Sequence, residues 1–323
     1  MNRRDALIAF VALAAFPVAT AGQQARIYRI GVIHHGGTYD LVINGLRDGL
    51  KELGFEEGKH YILHLRDAKG DPGVVEGMAT GLEDEKVDLI YAVTTSVATA
   101  TKRATKSVRI VFYAGGDPVV AGLVEQFRKP GGRLTGVFSR FTDLTGKRLE
   151  LLQQISPKIR RIVTFYNPNS PNVIRSLTIA REAAQKLKLQ LIERTITSVD
   201  ELRAGLRALR PGEADAFSYM SDAMVISQLD LIVEAARTKR MLAIFSDAAI
   251  VAKGGLASYG QSYHTIGKLC AKFVHRVLLG ADPGDLPVEQ LDRVHFAINL
   301  KTAKAIGITV PVSVLTRADE VIR

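Results

Sequence analysis

Residues 109–120 read RIVFYAGGDPVV, and they lead from an apolar run into two glycines, an aspartate and a proline. The β-branched first half predicts a buried strand, and Pro118 predicts the start of a helix that runs to about Phe127. Glycine lets a backbone approach a ligand closely or take a positive φ. Asp117 can accept hydrogen bonds from a ligand or from the next helix. The stretch therefore predicts a strand-to-helix turn at a sheet edge, with Gly116 and Asp117 as candidate ligand contacts.

The same alternation of strand and helix continues through the rest of the chain. Predicted strands cover 29–33, 60–66, 89–93, 110–113, 133–137, 161–166, 189–195, 215–220, 241–245, 256–259 and 295–298. Predicted helices between them cover 39–53, a segment opened by Asp71-Pro72, 97–106, 118–127, 142–155, 171–187, 199–209, 224–239 and 263–279. Two successive series of this kind predict two doubly wound α/β domains with mainly parallel sheets, divided near residue 140.

Polar side chains follow six of the predicted strands. Ligands bind beyond the carboxyl ends of the strands in such sheets, so these side chains are candidate contacts. They are His34, Thr95, Ser96, Gly116, Asp117, Asn169, Ser170, Ser221, Asp222 and Asp247. Tyrosines near these positions could form an aromatic wall, namely Tyr39, Tyr113, Tyr166 and Tyr219. Each polar residue could instead cap the next helix, and each tyrosine could belong to the core or the rim.

The composition argues against several classes of protein. The net charge of +10 comes from scattered basic residues, which is more typical of a soluble surface than of a nucleic-acid site. The single cysteine, Cys270, excludes an internal disulfide. His34 and the residues after it read HHGG, which is typical of an esterase oxyanion loop, but no G-x-S-x-G segment accompanies them. His60 and His64 share a strand face without further metal ligands. We therefore expect a binding protein with no catalytic residues, no metal and no cofactor.

The N-terminus has the pattern of a secretory signal peptide. Arg3-Arg4 precede the apolar run 6–18, which is too short to span a bilayer, and Ala19-Thr20-Ala21 follow it. This pattern predicts a signal peptide over 1–21 that is cleaved after Ala21. Export by the general secretory route is favoured over the twin-arginine route, because the residues after Arg4 fit the latter poorly. No cysteine at the cleavage site offers a lipid anchor, so the expected location is the periplasm.

Several longer segments resemble one family of proteins. They include GGDPVVAGLVEQFRKPGGRLTGV (115–137), KRLELLQQISPKIRRIV (147–163), YNPNSP (166–171), GGLASYG (254–260) and the C-terminal run 281–323. Over residues 26–323 the chain resembles the ABC-transporter substrate-binding proteins that include tryptophan-binding and other aromatic amino acid-binding lipoproteins. It lacks their lipobox cysteine, which bears on anchoring and not on the ligand.

The resemblance implies a type I periplasmic-binding-protein fold. In this fold two doubly wound parallel-sheet lobes, joined by a three-strand hinge, close on a ligand. The first lobe would comprise 26–138 plus 262–290, and the second 139–261 plus 291–323. The resemblance also implies an ABC permease in the inner membrane as partner, a monomeric state and no nucleic-acid partner.

The expected ligand is a small polar molecule, and the first hypothesis is an amino acid, with the aromatic amino acids among the candidates. Its carboxylate would bind at a helix N-terminus, beside Thr95 and Ser96. Its ammonium group would pair with Asp222, or as a second choice with Asp247. Branched amino acids, aromatic acids and other small carboxylates stay open as ligands. Alternative functions are a ligand-sensing subunit for a membrane receptor and an exported α/β enzyme. A related transcription regulator is disfavoured, because a signal peptide occupies the place of a DNA-binding helix-turn-helix.

Overall fold

The structure is a computed structural model that describes residues 26–170 and 172–323. The predicted signal peptide, 1–21, lies outside the described residues. Thirteen strands are found in the described ranges. They are β1 (Tyr28–His34), β2 (Tyr61–Asp67), β3 (Leu89–Val93), β4 (Arg109–Ala114), β5 (Leu134–Ser139), β6 (Arg161–Tyr166), β7 (Gln190–Thr195), β8 (Ala216–Ser218), β9 (Leu242–Phe245), β10 (Ala257–Gly260), β11 (Glu289–Leu291), β12 (His295–Asn299) and β13 (Glu320–Ile322).

Helices alternate with these strands along most of the described chain. The α-helices are α1 (Asp40–Glu52), α2 (Val75–Asp84), α3 (Thr95–Ala104), α4 (Thr145–Ile155), α5 (Val173–Lys186), α6 (Val199–Ala208), α7 (Ala223–Ser227), α8 (Leu229–Thr238), α9 (Ala248–Ala252), α10 (Tyr263–Leu278), α11 (Leu300–Ile306) and α12 (Val312–Leu315). Short 3₁₀ turns cover Gly37–Tyr39, Pro72–Val74, Thr142–Leu144 and Pro283–Asp285. The α/β class expected from the sequence is confirmed.

The strands form two separate sheets. The first has the order β11-β5-β4-β3-β1-β2, and all of its pairs are parallel. The second has the order β13-β12-β10-β9-β8-β6-β7 and is parallel except for the antiparallel pair of β10 with β12. In each sheet the chain reverses its direction of progress once, between β1 and β3 and between β6 and β8. Such switch points leave a crevice at the carboxyl ends of the strands, where ligands bind in open α/β sheets.

The chain passes between the two sheets at three places. These crossings lie between β5 and α4, between β10 and α10, and between β11 and β12. We call the first sheet with its helices the first lobe, and the second sheet with its helices the second lobe. Helix α10 packs on α1 and β4, and therefore belongs to the first lobe.

Two expected helices differ from the structure. No helix covers 118–127, because the chain closes a single wide turn in which the Leu123 N–H donates to the Pro118 carbonyl oxygen (2.8 Å) and Gly122 takes a φ of +67°. A left-handed residue after one turn ends a helix. The helix predicted over 224–239 is two helices, α7 and α8, which meet at Gln228, where φ is −107° and ψ is 22°.

Candidate ligand-binding site

A small, partly open cavity lies between the two lobes, at the switch points of both sheets. It has a volume of about 30 Å³. Its lining residues are Tyr39, Thr94, Thr95, Ser96, Tyr113, Gly115, Phe141, Ser170, Asn172, Ser221, Ala223, Ile226 and Tyr263. A space of this size takes a small polar group or a few water molecules, so the lobes must part for a larger solute to enter. None of these lining residues carries a charge.

The first lobe contributes three hydroxyl groups at the start of α3. Thr94 caps this helix with a φ of 103°, and its Oγ1 accepts a hydrogen bond from the Val97 N–H (3.3 Å). The Ser96 Oγ lies 3.1 Å from the Thr94 Oγ1 and 3.4 Å from the Nε2 of His35. Burial, together with the neighbouring His34, lowers the pKa of His35 to about 4, so that this imidazole is neutral at pH 7. The first N–H groups of α3 have no acceptor within the helix, and the helix dipole favours an anion there.

The Thr95 hydroxyl connects the two lobes. Its oxygen accepts hydrogen bonds from the Gly115 N–H (3.2 Å) and from the Asn172 Nδ2 (3.1 Å). Thr95 and Gly115 belong to the first lobe, while Asn172 directly precedes α5 in the second. The loops after β3 and β4 therefore meet the loop after β6 at this point.

The second lobe contributes Ser170 and Ser221 to the cavity wall, together with the apolar side chains of Ala223 and Ile226. The Ser221 N–H donates to the Ser176 Oγ (3.1 Å), which fixes the loop after β8 against α5. The Ser221 Oγ is buried and has no hydrogen-bond partner among the described residues. A buried hydroxyl without a partner is destabilising unless something else satisfies it. Its place in the cavity wall makes it available to a ligand.

Aromatic rings form one side of the cavity. Tyr263, at the start of α10, packs edge-on against Tyr39 with ring centroids 5.5 Å apart and stacks on Phe141 at 5.5 Å. Its ring also lies edge-on to Tyr113 at 6.5 Å. The Tyr113 Oη lies 3.1 Å from the Ser139 Oγ, and the Ser246 Oγ donates to the Tyr263 Oη (3.3 Å). Hydrogen bonds with Ser139 and Ser246 therefore fix the rings of Tyr113 and Tyr263 at two of the crossings between the lobes.

A buried cation supports this aromatic side. The Arg148 guanidinium lies over the rings of Phe141 (5.6 Å) and Tyr219 (5.1 Å). It donates to the carbonyl oxygens of Phe141 (3.1 Å) and Tyr259 (2.8 Å), so it ties together the chain at two crossings. Arg148 is fully buried, and no carboxylate lies within ion-pair distance of it among the described residues. Its charge raises the electrostatic potential on this side of the cleft.

Six of the predicted contact residues come together in the cavity wall. They are Thr95, Ser96, Ser170, Ser221, Tyr39 and Tyr113. Gly116 lies beside the cavity, where a Cβ would come within 2.6 Å of the Asn172 Oδ1. Neither Gly115 nor Gly116 has a positive φ, so the backbone conformation does not require glycine at either position. Position 116 requires glycine because Asn172 of the opposite lobe lies too close for a Cβ.

The three predicted aspartates act as caps and do not line the cavity. The Asp117 Oδ1 accepts from the Val119 (2.8 Å) and Val120 (3.2 Å) N–H groups. The Asp247 Oδ1 accepts from the Ala249 N–H (2.8 Å) at the start of α9, and its Oδ2 accepts from the Tyr263 N–H (2.6 Å). Only the Oδ1 of Asp117 is used in these contacts, so that its Oδ2 stays free among the described residues, and the expectation that Asp117 or Asp247 faces the ligand stays a prediction.

Asp222 is buried and capped in the same way. Its Oδ1 accepts from the N–H groups of Met224 (2.9 Å) and Val225 (3.2 Å), and its Oδ2 accepts from the Asn167 N–H (2.5 Å). Burial raises the pKa of this carboxyl to about 6, against the lowering effect of these backbone hydrogen bonds. These backbone contacts compete with a ligand ammonium group for the same oxygen atoms, and the charge clamp on Asp222 stays a prediction.

Four further predicted residues lie outside the cavity wall. The His34 Nδ1 accepts from the Gly36 N–H (3.1 Å), and the Tyr166 Oη donates to Glu193 (2.9 Å). Asn169 is exposed and does not line the cavity. Tyr219 is buried behind the wall, beside Arg148.

Asn172, Phe141 and Tyr263 line the cavity and were not predicted. Asn172 lies two residues beyond Ser170 in the same polar loop, so its composition offered a signal. Phe141 and Tyr263 lie at crossings between the lobes, two and three residues after β5 and β10, so their place after a strand offered a signal as well.

The described residues contain neither a long apolar helix nor a metal-binding cluster. No helix within 26–170 or 172–323 is long and apolar enough to cross a membrane. In the same ranges, no group of three or more His, Cys, Asp and Glu side chains could hold a metal ion.

Two doubly wound lobes, three crossings and a cavity at both switch points define a two-lobed binding protein of the type I periplasmic kind. The family model for "ABC transporter substrate binding protein" matches residues 29–322. The chain belongs to this family.

Three known proteins show the extent of the similarity. The tyrosine-binding protein of Clostridioides difficile is 29% identical over 267 residues, which cover 83% of this chain and 76% of that protein. A Streptococcus pneumonia ABC domain in complex with L-Trp is 28% identical, with a TM-score of 0.80, and the match covers 92% of this chain and all of that one. The ligand-free, open structure of a Clostridium difficile substrate binding protein is also 28% identical, covering 92% of this chain and 99% of that one, but its TM-score is 0.59.

The last two comparisons differ in TM-score although their sequence identities are equal. Identity and coverage of this chain are equal, whereas the L-Trp complex superposes far better than the open structure. In this chain the two lobes meet directly through the hydrogen bond between Asn172 and Thr95.

Proposed function

We propose that the protein is the extracytoplasmic solute-binding subunit of an ABC importer and that it captures an amino acid, preferably an aromatic one, between its two lobes. The observation that carries this proposal is the cavity at both switch points, which combines an aromatic side with hydroxyl groups from both lobes. The known binding of tyrosine and of L-Trp by two relatives supports the ligand class.

The ligand carboxylate would lie at the N-terminus of α3. The first N–H groups of the helix, the Thr95 and Ser96 hydroxyls and the helix dipole all favour an anion there. The Ser221 hydroxyl would reach the ligand from the second lobe. The positive charge of Arg148 behind Phe141 adds to the preference for an anionic group.

The ligand ring and its ammonium group would lie on the aromatic side. Tyr39, Tyr113, Phe141 and Tyr263 offer apolar area to the ring. Since no lining residue carries a carboxylate, hydroxyl oxygens and ring faces would meet the ammonium group. Such contacts recognise a cation less strongly than a carboxylate does, so we expect the carboxylate and the ring to dominate affinity.

The remaining elements of this function concern export and delivery. Residues 1–21 would direct secretion, with cleavage after Ala21 and release into the periplasm. A monomer that has closed on its ligand would then dock on an ABC permease in the inner membrane. In this scheme the chain performs no catalysis, since its task is to bind and release the solute.

The experiment that tests the proposal is thermal unfolding of the processed protein against the twenty amino acids, aromatic acids, sugars and polyamines. A ligand at about a thousand times its Kd stabilises the folded state by roughly 4 kcal/mol, which raises the midpoint visibly. We expect the largest shift with L-tyrosine or L-tryptophan. A shift with sugars alone would contradict the amino acid assignment.

Two variants test whether this cavity is the site. Thr95→Val and Ser221→Ala each remove a hydroxyl from the cavity wall and should weaken binding by roughly 5- to 20-fold. Thr101→Val is the matched control, because the Thr101 hydroxyl is buried and unpartnered in the same helix but does not line the cavity. Equal affinity in all three variants would place the site elsewhere.

A further inference from the structure

The hydrogen bond from Asn172 to Thr95 is unusual in its position. Away from the three crossings, it is the one side-chain hydrogen bond that joins the lobes within 26–170 and 172–323. Gly116 makes it possible, since the Oδ1 end of the same amide packs where a Cβ would stand. The bond can therefore exist only when the lobes are closed.

This bond changes what the Thr95 hydroxyl can do. A hydroxyl oxygen has two acceptor positions and one proton to donate. The Gly115 N–H fills the first acceptor position within the first lobe, and the Asn172 amide fills the second from across the cleft. On closure the hydroxyl keeps only its proton, so its remaining partner must be a hydrogen-bond acceptor.

A second, independent feature of the cavity points to a polar ligand group. The Ser221 side chain lines the same cavity from the opposite lobe, is 6% exposed, and has an Oγ without a partner among the described residues. Together with the first turn of α3, it leaves donors from both lobes directed at one space.

We propose that Asn172 is a latch residue that also determines specificity. By filling the last acceptor position of the Thr95 hydroxyl, it turns this group into an obligate donor, so that the closed site selects a ligand carboxylate over the corresponding amide. The inference rests on the proposed function and deepens it, because it assigns the selection of one ligand group to a positioning residue on the far lobe.

Two pairs of probes test this selection by calorimetric titration of the purified protein. The pairs are L-tyrosine with L-tyrosinamide, and 4-hydroxyphenylacetate with its amide. In the wild type the acid should bind at least about tenfold more tightly than the amide, because a charged acceptor strengthens such hydrogen bonds.

The variant Asn172→Asp keeps the shape of the side chain, but its carboxylate can only accept hydrogen bonds. It therefore accepts the proton of the Thr95 hydroxyl, and its negative charge repels a ligand carboxylate. In this variant the affinity for the acid should fall about tenfold or more, and the preference for the acid over the amide should vanish.

The controls separate selectivity from folding and from net charge. Asn169→Asp adds the same charge in the same loop, at an exposed position outside the cavity wall, and should keep the wild-type preference. Thr95→Ser keeps the hydroxyl and should keep the preference, whereas Thr95→Val should lose it. A merely structural role for Asn172 would change the affinity for acid and amide equally.

The results distinguish the latch from the proposed function. An unchanged acid-to-amide ratio in Asn172→Asp, equal binding of acid and amide by the wild type, or binding of none of the four probes would overturn the latch. Binding of 4-hydroxyphenylacetate without L-tyrosine, with the ratio lost in Asn172→Asp, would support the latch and contradict the amino acid ligand.

Discussion

Carboxylates near the cleft serve the protein backbone and not the cavity. Asp117, Asp222 and Asp247 each follow a strand and each accept hydrogen bonds from the first N–H groups of the next turn or helix. This is the ordinary capping role of aspartate, and it uses both carboxylate oxygens of Asp222 and Asp247 but only the Oδ1 of Asp117. The consequence is a cleft whose walls are hydroxyl and aromatic.

Asp222 should leave a measurable trace in the pH dependence of stability. Its pKa in the folded protein is raised by burial from the ordinary aspartate value of 3.8 to about 6. The folded state therefore holds this proton more tightly than the unfolded state does. The stabilisation is fully present below the unfolded pKa and is lost as the pH rises through the folded pKa.

Comparison with Asp222→Asn isolates this effect. The variant does not titrate, and the loss of the acceptor for the Asn167 N–H adds an offset of about 1–3 kcal/mol that does not depend on pH. We expect the free energy of unfolding of the wild type, minus that of the variant, to fall between about pH 4 and pH 6 in denaturant titrations. A difference that is constant, or that rises with pH, would contradict the buried environment of Asp222.

At this scale the sequence revealed part of the site and missed the rest for a physical reason. Thr95, Ser96 and Ser221 were recognisable because each follows a buried strand, and parallel strands bring such residues to one edge. The same rule selected Asp222, which the structure shows as a helix cap, since capping and ligand binding favour the same residue types. Asn172 and Tyr263 depend on how two lobes meet, which a single loop does not encode.

The loop after β4 shows how one element limits the closing of the lobes. Gly116→Ala would place a Cβ within 2.6 Å of the Asn172 Oδ1, whereas Gly115→Ala would meet nothing closer than 3.8 Å. Both glycines lack a positive φ, so neither change strains the backbone. The two variants therefore differ in their effect on the opposite lobe.

We expect Gly116→Ala to weaken ligand binding while the lobes themselves stay folded. Overpacking of a tight contact costs about 1–3 kcal/mol, part of which Asn172 can relieve by moving. Gly115→Ala should bind as the wild type does, and Gly116→Ala combined with Asn172→Gly should regain the room for closure. Calorimetry with L-tyrosine measures all three. Equal affinities for Gly115→Ala and Gly116→Ala would show that this contact does not limit closure.

Most strands and helices could be predicted from the sequence, but the short elements and the turn after Pro118 could not. The structure has β1 and β4 at their predicted places, because each is a continuous apolar run. It also has α10 where predicted, because its apolar residues recur with the period of a helix. Short elements such as α9, β11 and β13 were not predicted, because three to five residues carry too little periodicity. The run after Pro118 has helical composition, but Gly122 in the left-handed region ends its only turn.

Over the whole molecule, closure brings backbones of the two lobes into direct contact at a second place. Gly37, with a φ of +58°, lies so close to the second lobe that a Cβ would stand 1.9 Å from the Ser227 carbonyl oxygen. Tyr39, two residues after Gly37, lines the same cavity as Thr95 and Asn172. A ligand held by both lobes stabilises this closed form by no more than its difference in affinity for the two forms.

X-ray scattering of the processed protein during titration with L-tyrosine tests the central claim most directly. Capture between closing lobes predicts a radius of gyration that falls saturably, with one ligand bound per chain, and a Thr95→Val variant that needs more ligand for the same change. A radius of gyration that stays constant at saturating concentrations of L-tyrosine and of every other amino acid, in a protein that unfolds cooperatively, would contradict the account.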